Sequence, residues 1–146
     1  MIYCGYQGVG KSTYCRENPL TTVDLDSSNF TKNEGWFVDY IAMASELSNN
    51  GKKVFISAHQ CVIEYLLSNN YEFEVLIPAE EKEVWRSRLE FRYSKVKSYA
   101  NMKALFDFDL HYDNDMNYYN SLELKGVKVH RIKARIKTTL EDFLDK

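Results

Sequence analysis

The sequence predicts an α/β fold in which helices wrap a parallel β-sheet, and three observations carry that prediction. Short apolar segments rich in β-branched residues recur at residues 1–4, 22–25, 53–56, 73–77 and 127–132. Longer stretches with helical spacing of apolar residues separate them. Neither a repeat nor a linker rich in Pro, Gly or Ser interrupts this alternation, so one domain over residues 1–146 is expected.

Two helices are predicted from apolar periodicity and from signals at their ends. Capping boxes at residues 31–34 and 57–60 precede apolar stripes at residues 36–47 and 62–67. Gly51 follows the first stripe, where a glycine commonly ends a helix. These signals predict that the two helices begin directly after their boxes.

The second half of the chain carries weaker signals. Pro78, followed by two glutamates, predicts the start of a third helix that runs through Tyr93. Residues 99–124 interleave aromatic side chains with Asp and Asn, which predicts helix plus irregular loop. A capping box at residues 138–141 predicts a short C-terminal helix.

Composition and charge exclude several classes of protein. Of the 146 residues, 45% are apolar and 27% are charged, so the chain is expected to fold around a core rather than stay disordered. The 19 basic and 21 acidic side chains give a net charge of −2. This near balance argues against a protein that holds duplex nucleic acid by neutralising phosphates along its surface.

Cysteine usage and hydropathy indicate an intracellular protein. Cys4, Cys15 and Cys61 are odd in number and lack the spacing of metal ligands, so neither a disulfide framework nor a zinc site is expected. The longest apolar run is far shorter than the roughly 18 residues of a membrane span. Because a strand is predicted at the N-terminus and no charged leader precedes it, a cytoplasmic location without a membrane partner is expected.

The strongest motif follows the first predicted strand. Residues 5–12 read Gly-Tyr-Gln-Gly-Val-Gly-Lys-Ser and match the phosphate-binding pattern G-x-x-x-x-G-K-[ST] at every fixed position. Glycines let several backbone N–H groups converge on a polyphosphate, the lysine adds a positive charge, and the serine hydroxyl suits Mg²⁺. The residues expected to bind the nucleotide are Gly5, Gly8, Val9, Gly10, Lys11, Ser12 and Thr13.

Two acidic residues end the second predicted strand. Alternation along an extended chain points the side chains of Asp24 and Asp26 to the same side, toward the strand ends where ligands collect in parallel sheets. One carboxylate suits Mg²⁺, and the other suits a substrate hydroxyl. Solvation of the strand end, or helix capping by Asp26, Ser27 or Ser28, is the structural alternative.

The third predicted strand lacks the acid that many P-loop ATPases carry at this point. It ends in Ser57-Ala58-His59, which weakens a hydrolase interpretation and shifts metal support to Asp24. Ser57 or His59 is a candidate for contact with substrate or with metal-bound water. For His59, a helix-start residue satisfied by backbone groups is an equal alternative.

These motifs together resemble the small P-loop phosphotransferases of the nucleoside and nucleotide kinase group, which includes shikimate and gluconate kinases. Asp24-Leu25-Asp26 matches the D-x-D element that ends the second strand in that group. The wider pattern is also similar to compact phage-encoded P-loop proteins. The resemblance implies a three-layer P-loop NTPase fold with a five-stranded parallel sheet in the order 2-3-1-4-5. It also implies ATP and Mg²⁺ as cofactors, with Ser12 and Asp24 on the metal and Asp26 deprotonating the acceptor hydroxyl.

Arginines follow the fourth predicted strand. Arg88 and Arg92 lie one helical turn apart and share a face, and the resemblance implies that they stabilise charge on the transferred phosphoryl group. Arg86 is a weaker candidate for the same role. Helix-surface ion pairs with Glu83 and Glu90 are the alternative for all three. By the same resemblance, residues 86–101 are expected to form a short lid.

Other clusters are assigned structural roles. Phe30 and Trp36 are candidate walls of an acceptor pocket, although a core position is favoured for Trp36. The acidic residues Asp107, Asp109, Asp113 and Asp115 do not fit a calcium-binding loop and are expected in a solvated loop. A basic concentration is expected to protect an edge strand, with nucleic acid as the alternative partner: Lys125, Lys128, Arg131, Lys133, Arg135 and Lys137.

The expected function is therefore phosphoryl transfer from ATP to a nucleoside, a nucleotide or another small acceptor. The catalytic candidates are Lys11, Asp26, Arg88 and Arg92. Two alternatives stay open: a nucleotide-binding regulatory ATPase that phosphorylates no acceptor, and a kinase of 5′-hydroxyl polynucleotide ends. Sequence does not identify the acceptor, the choice between ATP and GTP, or the oligomeric state.

Overall fold

A computed structural model describes residues 1–27 and 30–133. Strands and helices alternate along this part of the chain. In order they are β1 (Ile2–Gly5), α1 (Lys11–Glu17), β2 (Thr22–Asp24), α2 (Trp36–Asn49), β3 (Lys53–Ser57), α3 (Gln60–Ser68), β4 (Phe73–Pro78), α4 (Lys82–Lys95), α5 (Tyr99–Leu124) and β5 (Val129–Ile132).

The five strands form one parallel sheet in the order β2-β3-β1-β4-β5. The predicted fold class and strand order are therefore confirmed. β1 lies at the centre, and Gly5 at its end is level with Ser57 of β3 and Leu76 of β4. Because parallel strands end at one edge of the sheet, the segments that follow β1, β2 and β3 come together there.

The core occupies both faces of the sheet. The Phe55 ring stacks on Tyr3 with centroids 5.2 Å apart, and Tyr14 of α1 meets the same ring edge-on at 5.7 Å. Cys4 and Ile56, the next residues on these two strands, are also buried. Burial on both faces explains why the central strands are continuously apolar rather than alternating.

The capping boxes predicted for α2 and α3 are wrong. α2 begins after Gly35, which adopts a φ of 73°, and Thr31 and Glu34 stay exposed. The left-handed backbone at Gly35 turns the chain into the helix without a side-chain cap. α3 begins after His59 because Ser57 is still the last residue of β3.

The region from β4 to β5 is more helical than predicted. Pro78 ends β4, and α4 begins only after Glu81. The expected loop in residues 99–124 is wrong, since α5 is one helix of 26 residues. Its buried face carries Phe108, Tyr119 and Leu122 at helical spacing.

The acidic cluster therefore lies on a helix and not in a loop. Three of its four members pair with neighbouring bases: Asp107 with Lys103, Asp109 with Arg86, and Asp113 with Lys82. Within residues 1–27 and 30–133, no group of three or more Asp, Glu, His or Cys side chains is arranged to hold a metal ion. On β5, Arg131 pairs with Glu123 of α5, which agrees with a structural role for the basic segment.

Some expectations fall outside the described residues, namely the C-terminal helix after residue 138 and the positions of Ser28, Arg135 and Lys137. Cys4, Cys15 and Cys61 are all free thiols. None of the described helices, α5 included, has the length and apolar character that crossing a bilayer requires.

Candidate functional site

The glycine-rich loop joins β1 to α1 at the centre of the sheet edge. Gly10 precedes α1 with a φ of 99°, and its carbonyl accepts a hydrogen bond from the Tyr14 N–H at 3.0 Å. The Lys11 ammonium reaches back across the loop and donates to the Gly5 carbonyl at 2.8 Å. A Cβ at Gly5 would lie 2.8 Å from Lys11 Cδ, so a side chain there would displace the lysine.

Helix α4 packs directly on the loop. The Trp85 indole, which is fully buried, donates to the Gln7 carbonyl at 2.9 Å, and Arg88 Nε donates to the Gly8 carbonyl at 2.6 Å. Gly8 has a φ of 90°, and a Cβ there would meet the Trp85 Nε1 atom at 3.1 Å and Leu89 at 3.0 Å. The absence of a side chain at Gly8 therefore lets α4 approach the loop.

Two other predicted loop residues have supporting positions. Val9 is buried in the core, and its backbone N–H donates to the Tyr6 carbonyl at 3.3 Å. The Thr13 hydroxyl accepts from Arg16 one turn along α1 at 3.5 Å. Both residues shape the loop and the first turn of α1.

Ser12 and Asp24 meet as predicted. The Ser12 hydroxyl donates to Asp24 Oδ2 at 2.7 Å, which joins the end of the loop to the end of β2. Ser12 is exposed and Asp24 is half-buried, so both oxygens border solvent. Two hard oxygen donors at this separation fit Mg²⁺, which takes few protein ligands and completes its shell with water and phosphate.

Asp26 lies beyond the end of β2, close enough to influence two lysines. Burial lowers the pKa of Lys11, and the negative charges of Asp24 and Asp26 partly offset this effect. Burial also lowers the pKa of Lys32, and the negative charge of Asp26 partly offsets this effect as well. The Asp26 carboxylate therefore lies within electrostatic range of both Lys11 and Lys32.

The end of β3 contributes a hydroxyl and an imidazole. The Tyr40 hydroxyl donates to the Leu25 carbonyl at 2.6 Å and accepts from the Ser57 N–H at 3.0 Å, which links β2 to β3. The Ser57 hydroxyl is buried and has no hydrogen-bond partner of standard geometry within the described chain. Since Ser57 is level with Gly5, this polar atom lies beside the start of the loop.

His59 lies at the N-cap of α3, as the structural alternative predicted, but its ring makes no capping bond. The imidazole instead packs edge-on against Trp36 with centroids 5.7 Å apart. Burial and the positive charges of Lys11, Lys103 and Lys32 lower the pKa of His59. Both effects favour the neutral form of the ring, which faces cationic surroundings.

The three arginines of α4 have different surroundings. Arg86 pairs with Glu90 and with Asp109 of α5, at 2.7 Å for the latter, so the ion-pair alternative describes this residue. Arg88 binds the loop itself. Arg92 donates to Asn101 Oδ1 at 2.9 Å across the turn between α4 and α5, and its positive charge lowers the pKa of Lys11.

Residues 86–101 consist of the end of α4, a turn and the start of α5. Asn101 fastens this turn, since its side chain also donates to the Val96 carbonyl at 2.9 Å. A helical hairpin thus stands beside the loop in the region where a lid was expected.

Phe30 and Trp36 are half-buried and pack against the core. The Trp36 ring contacts Phe37, Tyr40 and His59. These contacts agree with the core position favoured for Trp36. The role of both residues as walls of an acceptor pocket stays a prediction.

Comparison with models of known protein families gives no match, and comparison with curated proteins gives no significant match. The candidate site consequently depends on its own geometry. The glycine loop, Lys11, Ser12 and Asp24 lie together, and Asp26, Arg88 and Arg92 surround them.

Sequence reasoning missed several residues that build the site. Trp85 and Gln7 hold α4 and α5 to the loop, since the Gln7 amide also donates to the Ala104 carbonyl at 3.0 Å. The spacing of Trp85 and Leu89 indicates a buried stripe but not its target. Lys32 carries no motif, and only the folded chain brings it within electrostatic range of Asp26 and Lys103.

Proposed function

We propose that this chain is a Mg²⁺-dependent phosphotransferase that moves the γ-phosphoryl group of ATP to a small acceptor. The observation that carries the proposal is the hydrogen bond from Ser12 to Asp24 at the mouth of the glycine loop, with Lys11 lying across that loop. This arrangement joins an anion cradle to a pair of oxygen ligands suited to Mg²⁺. When bound, the metal ion neutralises charge on the β- and γ-phosphates.

Each residue then has a defined chemical role. The loop amides and Lys11 hold the phosphates, and Ser12 and Asp24 hold the metal ion. Asp26 takes the proton of the acceptor hydroxyl, whose oxygen bonds to the γ-phosphorus while the bond to the β,γ-bridging oxygen breaks and ADP leaves. Arg88 and Arg92 of α4 stabilise the negative charge of the transferred group, and Arg88 does so while it is hydrogen-bonded to the loop.

The direct test is transfer of label from γ-labelled ATP with Mg²⁺ to nucleosides, nucleotides and 5′-hydroxyl oligonucleotides. Label in a small acceptor supports the proposal. Label in the oligonucleotide supports a polynucleotide kinase instead, and free phosphate without a labelled acceptor supports a regulatory ATPase. All three outcomes come from one reaction mixture and are separated by chromatography.

Two variants assign the roles. Lys11→Met removes the cation at the phosphates and is expected to lower kcat by about 100- to 1000-fold. Asp26→Asn removes the base and is expected to lower kcat by about 100-fold or more with ATP binding retained. Asp39→Asn, an exposed acid on α2, is the matched control and should keep native activity. Native turnover in the Asp26 variant would remove Asp26 from the mechanism.

A further inference from the structure

Three nitrogen-bearing side chains near the glycine loop are not used by the proposed transfer chemistry. Lys32 comes from the segment before α2, His59 from the start of α3, and Lys103 from α5. These three elements are far apart in sequence and meet at the edge of the sheet where the glycine loop lies. Their convergence therefore needs its own explanation.

The Trp36 indole connects two of these groups. The Lys32 ammonium lies over its face, 4.4 Å from the ring centroid, and His59 meets it edge-on. The ammonium also donates to the carbonyls of Ser27 and Phe30, at 3.2 Å for Phe30. Backbone and indole contacts thus fix the Lys32 charge in place before any ligand arrives.

Lys103 of α5 adds a second ammonium group. The hydrogen bond from the Gln7 amide to the Ala104 carbonyl, at 3.0 Å, holds this part of α5 beside the glycine loop. The positive charge of Lys103 disfavours protonation of both His59 and Lys32, so it acts within electrostatic range of the two side chains that contact the Trp36 ring. Like charges stay together only at a cost in free energy, which a bound anion would reduce.

We propose that Lys32, Lys103 and His59 form a subsite for a phosphate group carried by the acceptor. The substrate class is then a small phosphomonoester that has a free hydroxyl for Asp26. This inference rests on the proposed function for its transfer step. The binding subsite itself stands on the convergence of the three side chains.

The charge of the cluster favours phosphate over a carboxylate. A phosphomonoester is close to a dianion at neutral pH and has three acceptor oxygens, which matches two ammonium groups and an imidazole N–H. A carboxylate has one charge and two oxygens. Two acids also face the cluster: Asp26, assigned to the hydroxyl, and Asp107, which pairs with Lys103 at 3.0 Å.

Binding can be tested without turnover by following the histidine ring protons by NMR during titration with inorganic phosphate. The chain has 3 histidines, so His111 and His130 are internal controls, and His59→Gln assigns the signal. The titration uses Lys11→Met, because phosphate in the glycine loop of the native protein would itself affect His59. We expect a saturable shift of His59 alone at millimolar phosphate, and its loss after Lys32→Ala with Lys103→Ala.

Three results in this titration would overturn the proposal: no saturable shift, a shift that survives in the double lysine variant, or equal shifts of all three histidines. A saturable shift together with no phosphoryl transfer to any acceptor would keep the subsite and refute the proposed function. The failures of the two proposals are therefore distinguishable.

Kinetics test the substrate class. Among matched acceptors, the phosphomonoester should be used in preference to its dephosphorylated parent and to the corresponding carboxylate. Lys103→Ala should raise the KM of the phosphorylated acceptor by about tenfold or more with the KM of ATP unchanged, and Lys125→Ala at the other end of α5 should raise neither. Equal use of ester and parent would overturn the inference.

Asp107→Asn separates an electrostatic role from a structural one. Because it releases Lys103 from its partner, we expect phosphate to bind more tightly and the KM of the phosphorylated acceptor to fall. If Asp107 had only a structural role, its replacement would leave phosphate binding unchanged or would weaken it. That result would contradict the electrostatic assignment of Lys103.

Discussion

In the proposed function, Lys11 serves nucleotide binding at the expense of stability. Burial lowers the pKa of its ammonium, while the Gly5 carbonyl and the charges of Asp24 and Asp26 compensate only in part. The folded state therefore contains a cation that is poorly solvated unless an anion lies against it.

Lys11→Met is accordingly expected to raise the free energy of unfolding by roughly 0.5–2 kcal/mol while it abolishes transfer. The apolar chain keeps most of the packing and removes the buried charge. Urea denaturation monitored by circular dichroism measures the change. Lys133→Met, an exposed position, is the control, and a destabilised Lys11 variant would show that its hydrogen bond outweighs the cost of burial.

Asp115 predicts a pH dependence of stability. It lies half-buried on α5 near the Tyr6 and Tyr119 hydroxyls, and burial raises the pKa of its carboxyl above the usual 3.8. Between 3.8 and the raised value, the folded state binds more protons than the unfolded state. The free energy of unfolding therefore falls as pH rises through this window, and the loss persists at neutral pH.

We expect Asp115→Asn to be more stable than the native chain at pH 7, with a difference that shrinks as the pH falls toward the usual carboxyl pKa. Denaturation midpoints across this range test the expectation. Asp113→Asn, on the exposed side of α5, should lose at most a weak surface pair with Lys82. A constant difference across pH would exclude carboxyl ionisation as its cause.

At the scale of elements, the contact between the glycine loop and α4 predicts an unequal pair of glycine substitutions. Gly8 and Gly126 have nearly the same φ, 90° and 92°, and both values lie in the region that favours glycine. A Cβ at Gly126 meets nothing within 4 Å, whereas one at Gly8 meets Trp85 and Leu89. A comparison of alanine substitutions at the two glycines therefore separates the free-energy cost of backbone strain from that of steric clash.

Gly126→Ala should cost about 1–2 kcal/mol of unfolding free energy from strain alone. Gly8→Ala should cost about 1–3 kcal/mol more, because α4 must shift, and it should also weaken nucleotide binding. Urea denaturation and nucleotide titration measure both effects. Equal losses of stability would show that α4 moves away without cost.

The same elements show what sequence can predict. Each strand is short, apolar and bounded by clear signals, so their positions and the sheet order implied by the P-loop resemblance are confirmed. The predicted start of α2 is wrong because the turn into this helix uses the backbone of Gly35 and not the side chain of Thr31. α5 was missed in part because Asp115 interrupts its buried stripe of Phe108, Tyr119 and Leu122.

Sequence likewise predicts some residues of the candidate site and not others. Ser12 and Asp24 were predictable because each ends a local motif, and their meeting follows from parallel topology. Trp85 and Lys103 were not, since their partners are determined by how the hairpin of α4 and α5 lies across the sheet edge. Such packing depends on the whole core and leaves no short pattern in the sequence.

At the scale of the whole molecule, the three thiols report on global stability. Cys61 is exposed, whereas Cys4 is fully buried in β1 directly before the glycine loop, and burial raises the pKa of its thiol. A thiol reagent should therefore modify Cys61 rapidly in the native protein. Cys4 should react only as the molecule unfolds.

Because a ligand that binds only the folded state stabilises it, magnesium nucleotide at about 100 times its dissociation constant should slow labelling of Cys4 by about 100-fold. Cys4 lies in the central strand, so its exposure requires loss of the sheet and not a local opening. Lys11→Met should abolish this protection while Asp26→Asn retains it, because Lys11 is assigned to the phosphates and Asp26 to the acceptor hydroxyl. Mass spectrometry of the labelled peptides measures both rates, and unprotected Cys4 in the native chain would contradict nucleotide binding itself.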